Sequence, residues 1–179
     1  MPRDLLKVRL NEIPDKGLDL EYGDADARWI EILVELSDRG ATGSSRVRLE
    51  EWPERIDVSG QIQASLPTNC CRCLDPFDQQ IERPVAQVLM KTEAEPTAAD
   101  DGEIELSLRD LDRSELVGED IDLGAILREE LLLALPPKPL CRPECKGICA
   151  GCGAELNHEP CTCKPVTDPR WDALKALLE

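Results

Sequence analysis

Basic residues are in short supply. The 179-residue chain carries 21 Lys and Arg against 37 Asp and Glu, a net charge of −16. A surface of that sign repels phosphate backbones, which argues against general electrostatic binding of nucleic acid. Histidine is scarcer still: His158 is the only one, so a catalytic relay built on several histidines is excluded. No apolar run approaches the roughly 20 residues a membrane-spanning helix needs, and LLLALPP falls far short. The opening MPRDLLKVRL alternates charged and apolar residues instead of showing the apolar stretch of a signal peptide, so a cytoplasmic location is expected. Glycine-rich phosphate loops and nucleophile elbows are missing.

Cysteine, by contrast, is abundant. Six of the nine cysteines fall in CRPECKGICAGCGAELNHEPCTC, from Cys141 to Cys163. Glycine and proline fill the gaps, and there is almost no large apolar side chain. A segment like this cannot fold on hydrophobic burial alone, so a cross-link or a metal must hold it. In a chain with no secretion signal, clustered cysteines read as metal ligands before disulfides. Cys149-Ala-Gly-Cys152-Gly153 has zinc-knuckle spacing: two thiolates two residues apart face one ion, and the glycines let the backbone turn around it. Cys161-Thr-Cys163 supplies a second pair.

A structural zinc takes four ligands. Setting Cys71 aside leaves eight cysteines, two complete sets. The expected assignment places Cys70, Cys73, Cys141 and Cys145 on one zinc and Cys149, Cys152, Cys161 and Cys163 on the other. The first would close a long loop and the second a short one. Each ion would contribute on the order of 10 kcal/mol of apparent binding energy. Cys71 would point the other way from Cys70 in extended backbone and is read as a spare thiol. Two other arrangements stay open: a single zinc on Cys145, Cys149, Cys152 and Cys161, or His158 in place of Cys163. A redox Cys-x-x-Cys should open a helix, where the dipole lowers the thiol pKa. Cys73 is followed instead by Leu-Asp-Pro-Phe and Cys152 by Gly. A four-thiolate zinc also leaves no open position for catalysis. The reading is a protein that is not an enzyme.

The rest of the chain reads as an α+β domain over 1–140, with an antiparallel sheet, open or barrel-like, and two or three helices. LLKVRLNEI and LDLEY suggest two strands around the turn Pro14-Asp15-Lys16-Gly17. Over Asp24 to Asp38, Trp29, Ile30, Leu33, Val34 and Leu36 give a short amphipathic helix, with a strand as the alternative because IEILVEL also alternates. From Arg46 onward RVRLEEW, RIDVSGQIQASLP and FDQQIERPVAQVLMK alternate at period two, with Ile56, Val58, Ile62, Ala64 and Leu66 on one face and a bulge or bend expected at Gly60. EAEPTAADDG, residues 93–102, reads as an acidic loop, and Glu103 to Leu108 as one more strand. Ile121, Leu123, Ile126, Leu127, Leu131, Leu132 and Leu135 form the apolar face of a helix capped by Asp120 or Asp122 and stopped by Pro136 and Pro137. Residues 141–179 form the zinc-knuckle module and a last helix, with Trp171, Leu174, Leu177 and Leu178 on one face.

Cys70-Cys71-Arg72-Cys73-Leu74-Asp75-Pro76-Phe77 resembles the Cys-x-Arg-Cys-Leu-x-Pro-Phe block of the YceD family, the large ribosomal RNA subunit accumulation proteins. The helix from Ile121-Asp122-Leu123 to Leu135-Pro136 is similar to the family's second block. Cys145-Lys146-Gly147-Ile148-Cys149, Cys152-Gly153, Leu156-Asn157 and Asp168-Pro169-Arg170 resemble the tail of many bacterial members. The similarity runs from 60 to 178. It implies a role in the synthesis, processing or stability of 23S rRNA and so in assembly of the large ribosomal subunit, with no catalytic residue. The expected partner is a basic large-subunit ribosomal protein or an assembly factor held by the acidic surface. Residues 93–122 alone hold twelve acids against two arginines. Any contact with 23S rRNA precursor would be local, through Arg72, Arg142, Lys146 and Lys164. Two other classes stand beside this one: an acidic module for a basic partner unrelated to ribosomes, and a thiol–disulfide redox protein.

Overall fold

Alternation at period two builds most of the chain. The computed structural model describes residues 6–37, 39–92, 113–163 and 170. They divide into two units, one drawn from Met1–Thr68 with Asp78–Pro137 and the other from Asn69–Phe77 with Lys138–Glu179.

The first unit contains β1 (Lys7–Arg9), β2 (Leu18–Tyr22), α1 (Ala27–Glu35), β3 (Thr42–Glu51), β4 (Arg55–Asn69), β5 (Pro76–Thr92), β6 (Arg113–Val117), β7 (Asp120–Asp122) and α2 (Leu123–Ala134), with the ends of β4 and β5 running into the second. The main sheet is open, in the order β2-β3-β4-β5-β6; β1 and β7 form a separate ribbon. β2, β3 and β4 are antiparallel, with Leu20 opposite Val47 and Leu49 opposite Val58. Side-chain bonds from Gln61 to Glu82 and from Gln80 to Ser65 run in opposite numerical directions, which makes β4 and β5 antiparallel too. The expectation of an all-antiparallel sheet needs one correction. β6 runs parallel to β5, from Val88 opposite Arg113 to Thr92 opposite Val117. A parallel partner requires a crossover of a dozen residues or more, and the twenty residues from 93 to 112 supply that length.

The buried side of the sheet carries Val47, Leu49, Ile56, Val58, Ile62, Ala64, Leu66, Ile81, Val85 and Leu89. No bulge occurs at Gly60, which pairs in register with Val47. The glycine is there for space: a Cβ would run into the Arg46 carbonyl oxygen and stand 2.9 Å from the Val47 Cα. In α1 the buried face is Trp29, Ile32 and Leu33, not Trp29 with Val34, which is 47% exposed. Ile32 and Leu33 follow Trp29 by three and four residues, the spacing of one helical face. The Trp29 indole donates to the Gly43 carbonyl at 3.0 Å, and Asp26 caps the helix by accepting from the Arg28 amide at 2.9 Å. Asp122 caps α2 through the Ala125 amide at 2.8 Å. Ile121, assigned to that helix from the sequence, sits in β7 opposite Val8. Leu132 also leaves the expected apolar face and is 43% exposed, while Leu123, Ile126, Leu127 and Leu131 are buried. Among the described residues no helix is long and apolar enough to cross a membrane. The acidic loop at 93–102, the strand expected at Glu103 to Leu108 and the last helix lie outside the described residues.

Candidate metal centres

The connection between β4 and β5 turns because its own backbone closes on itself. The Cys70 amide donates to the Asp75 carbonyl at 2.9 Å, and the Leu74 amide to the Cys70 carbonyl at 2.9 Å. Leu74 takes a φ of +65° to complete the turn, a left-handed conformation that is unusual and costly for a leucine. The turn brings Cys70 and Cys73 to one side. The chain after α2 returns here: the Cys71 amide donates to the Pro139 carbonyl at 2.8 Å. Arg72 joins this return segment, its guanidinium donating to the Cys145 carbonyl at 2.9 Å and its own carbonyl accepting from the Ile148 amide at 3.1 Å.

Four sulfurs meet as a result. The Sγ atoms of Cys70, Cys73, Cys141 and Cys145 lie within 4.8 Å of one another, with Cys70 to Cys145 and Cys73 to Cys141 both at 3.7 Å. A tetrahedral zinc with bonds of about 2.3 Å sets its sulfurs about 3.8 Å apart. Phe77 and Leu140 pack against the group, and three of its four cysteines are buried. A second group follows, Cys149, Cys152, Cys161 and Cys163, again within 4.8 Å. Here Cys152 to Cys161 is 3.5 Å and Cys149 to Cys161 is 3.3 Å. This group is more open, with Cys152 and Cys163 exposed. All these separations are far beyond the roughly 2.05 Å of a disulfide bond, and none of the nine cysteines is disulfide-bonded.

Backbone amides point at the sulfurs. The amide two residues on donates in each case: Arg72 to Cys70 at 3.4 Å, Gly151 to Cys149 at 3.4 Å, and Cys163 to Cys161 at 3.3 Å. Such donors stabilise thiolate, the form a metal binds. Burial opposes ionisation of Cys70, but the amides of Cys141, Cys73 and Arg72 outweigh it and hold the thiol down at about 6. The amides of Cys152 and Gly151 hold Cys149 down at about 6 as well. Asn157 is the largest influence lowering Cys145. Burial drives Cys73 well above the ordinary thiol range, and the neighbouring thiols of Cys152 and Cys161 push Cys163 up to about 12. Four thiols packed this closely cannot all ionise without a cation among them. The donor set, its spacing and the amides around it fit a closed tetrahedral metal site.

The structure thus brings together each set of four that the sequence spacing suggested. Cys145 groups with Cys70, Cys73 and Cys141 and not with Cys149, Cys152 and Cys161. Cys71 is exposed and belongs to neither group. His158 is apart from both: it lies with Asp75 and Glu155, its side chain 66% exposed and its Nε2 3.2 Å from the Glu155 carboxylate. Neither knuckle pair opens a helix among the described residues. Sequence reasoning missed Asn157, whose amide Nδ2 donates to the Cys145 sulfur at 3.4 Å. It also offered Arg72 as an RNA contact and missed that its guanidinium holds the Cys145 carbonyl. Lys164 lies outside the described residues.

The family model described as "Large ribosomal RNA subunit accumulation protein YceD" matches residues 58–178. The chain belongs to the YceD family. The matched span contains all nine cysteines and both sulfur groups. An uncharacterized protein of Mycobacterium tuberculosis (strain ATCC 25618 / H37Rv) is 32% identical over 141 residues, covering 79% of this chain and 64% of the relative. A Zea mays protein named "Large ribosomal RNA subunit accumulation protein YCED homolog 1, chloroplastic" is 28% identical over 145 residues, 70% of this chain and 50% of its own length. The chain therefore spans less than two thirds of the curated relatives it matches. No solved structure matches.

Proposed function

We propose that this chain is a non-enzymatic factor in assembly of the large ribosomal subunit, supporting the synthesis, processing or stability of 23S rRNA, and that two structural zinc ions hold its cysteine-rich unit. The observation that carries the reading is the pair of complete four-sulfur groups within a YceD match. Family membership and the printed name of the maize relative support the link to large-subunit RNA. Zinc suits a set of four thiolates at tetrahedral spacing and supplies a fixed, redox-silent cross-link there. Cys70, Cys73, Cys141 and Cys145 would hold one ion, and Cys149, Cys152, Cys161 and Cys163 the other. With all four positions filled by sulfur, the ions order the chain and offer no site for a reacting water.

The net charge of −16 favours a basic protein as the partner over bare RNA. A large-subunit ribosomal protein or assembly factor in the cytoplasm would be attracted to it, with 23S rRNA precursor touched locally. The test is sedimentation of lysates from normal and depleted cells. The protein should comigrate with large-subunit precursors, and its loss should lower 23S relative to 16S rRNA. Unchanged rRNA ratios with no comigration would refute the reading. The same acidity supports a second one, a module for a basic partner outside the ribosome. Replacing Glu95, Asp100, Asp101, Glu103 and Glu105 by neutral residues and measuring capture of large-subunit proteins across a salt series separates the two. A ribosomal partner predicts lost capture and a flatter salt dependence, because exposed charges are screened over roughly 8 Å at physiological ionic strength.

A further inference from the structure

We infer that Asn157 is a positioning residue that couples the two metal centres, so that filling the second raises the metal affinity of the first. The inference rests on the two-zinc reading above and concerns how the sites depend on each other. Cys145 belongs to the first group and Cys149, four residues later, to the second. Between them the chain enters a short hairpin. The Cys149 amide donates to the Ala154 carbonyl at 2.8 Å and the Leu156 amide to the Gly147 carbonyl at 2.9 Å, with Ile148 bridged to Glu155. The Cys149–Cys152 knuckle forms its tip, where the Gly153 amide returns to the Cys149 carbonyl at 2.9 Å.

Asn157 is the residue at which the hairpin comes back to the first site. Its Nδ2 donates to the Cys145 Sγ at 3.4 Å, and its Oδ1 accepts from the Lys146 amide at 2.9 Å. One side chain thus clamps both the ligand and the backbone beside it. A donor to a ligating sulfur orients it and tunes its charge, and partners of this kind typically account for 10–100-fold in metal affinity.

The Ile148 amide on the Arg72 carbonyl at 3.1 Å ties the first strand of the hairpin to the first site, and Asn157 is the tie from its second strand. Two-stranded hairpins are marginal in water without a packed face, and Ile148 is partly open to solvent. A metal on Cys149, Cys152, Cys161 and Cys163 fixes the tip and the segment that follows it. It thereby delivers Asn157 to Cys145. Coupling of this kind is reciprocal: whatever factor the second ion contributes to binding of the first, the first returns to the second.

The experiment is competition of zinc and Co(II) against a chelator in the full chain. In the parent protein, removing the second site with Cys161→Ser and Cys163→Ser should weaken the first by 10–100-fold. Asn157→Ala should weaken the first site by a similar factor, and in that background loss of the second site should cause little further change. Asn157→Asp keeps the acceptor for the Lys146 amide but has no donor for the sulfur. It should behave as Asn157→Ala does, and the sulfur-to-cobalt charge-transfer band of the first site should shift while that of the second stays. Wild-type affinity in both Asn157 variants, or restoration by Asp, would overturn the inference, as would equal weakening of the first site with and without Asn157. Those results with two ions still bound to the parent leave the two-zinc reading standing. A parent protein binding only one ion overturns both.

Discussion

Replacing Cys73 by serine is the perturbation whose consequence the fold makes largest. Cys73 and Cys141 are 68 residues apart in sequence and 3.7 Å apart at their sulfurs. The chain between them supplies β5, β6, β7 and α2. While the first metal stays bound, any opening of those elements leaves a closed loop of that length. By the loop-closure relation for a cross-link, such a loop has lost about 4.4 kcal/mol of entropy relative to the open chain at 25 °C. The comparable loop in the second group, between Cys152 and Cys161, spans 9 residues and encloses none of the strands or helices of the first unit. Hydrogen exchange with metal present reads this directly. Cys73→Ser should cut the protection of amides in β5 and α2 by up to about a thousandfold, since each 1.4 kcal/mol is a factor of ten. With metal saturating the first site, Cys161→Ser should leave those amides alone and lower protection mainly around residues 147–163. If Cys73→Ser changes protection in β5 and α2 no more than Cys161→Ser does, the first group is not a staple and the argument from loop closure is wrong.

Three further outcomes follow from the first unit. The Ser45 hydroxyl is buried and has no partner among the described residues; Ser45→Ala should stabilise by about 1 kcal/mol in urea unfolding, because an unsatisfied hydroxyl is costly to bury. Leu127 is fully buried in α2, so Leu127→Ala should cost about 2–5 kcal/mol in the same assay, the range for cavities in a packed core. The Arg28 side chain, with its backbone amide assisting, holds the Asp26 carboxyl below its ordinary value. A lowered folded-state pKa gives stability that is present above the unfolded value and lost as pH falls through the folded one. Asp26→Ala should therefore cost about 1 kcal/mol at pH 7 and progressively less toward pH 3, and a cost independent of pH would contradict the cap.

The central strands were legible because their chemistry is local. Ile56, Val58, Ile62, Ala64 and Leu66 alternate, and alternation has one solution when one face is buried. The cap of α2 was readable for a similar reason, an acid just ahead of an apolar period, whereas the Asp26 cap of α1 went unassigned. The parallel pairing of β6 was not readable, since nothing in Arg113 to Val117 records which strand it will meet across a twenty-residue connection. Val34 and Leu132 misled because a helix with apolar residues on several faces does not declare which face will be covered. The two sulfur groups could be read from spacing once four ligands per ion was assumed, even though one of them joins residues far apart in sequence. Asn157 could not. An asparagine in a glycine-rich tail has no periodicity to mark it, and its role exists only once the hairpin has folded back to Cys145.

Elemental analysis of the protein purified without added metal tests the central claim most directly. Two closed four-thiolate sites predict a zinc-to-protein ratio near two. A ratio of one, or none, would contradict the assignment of eight cysteines to two structural ions.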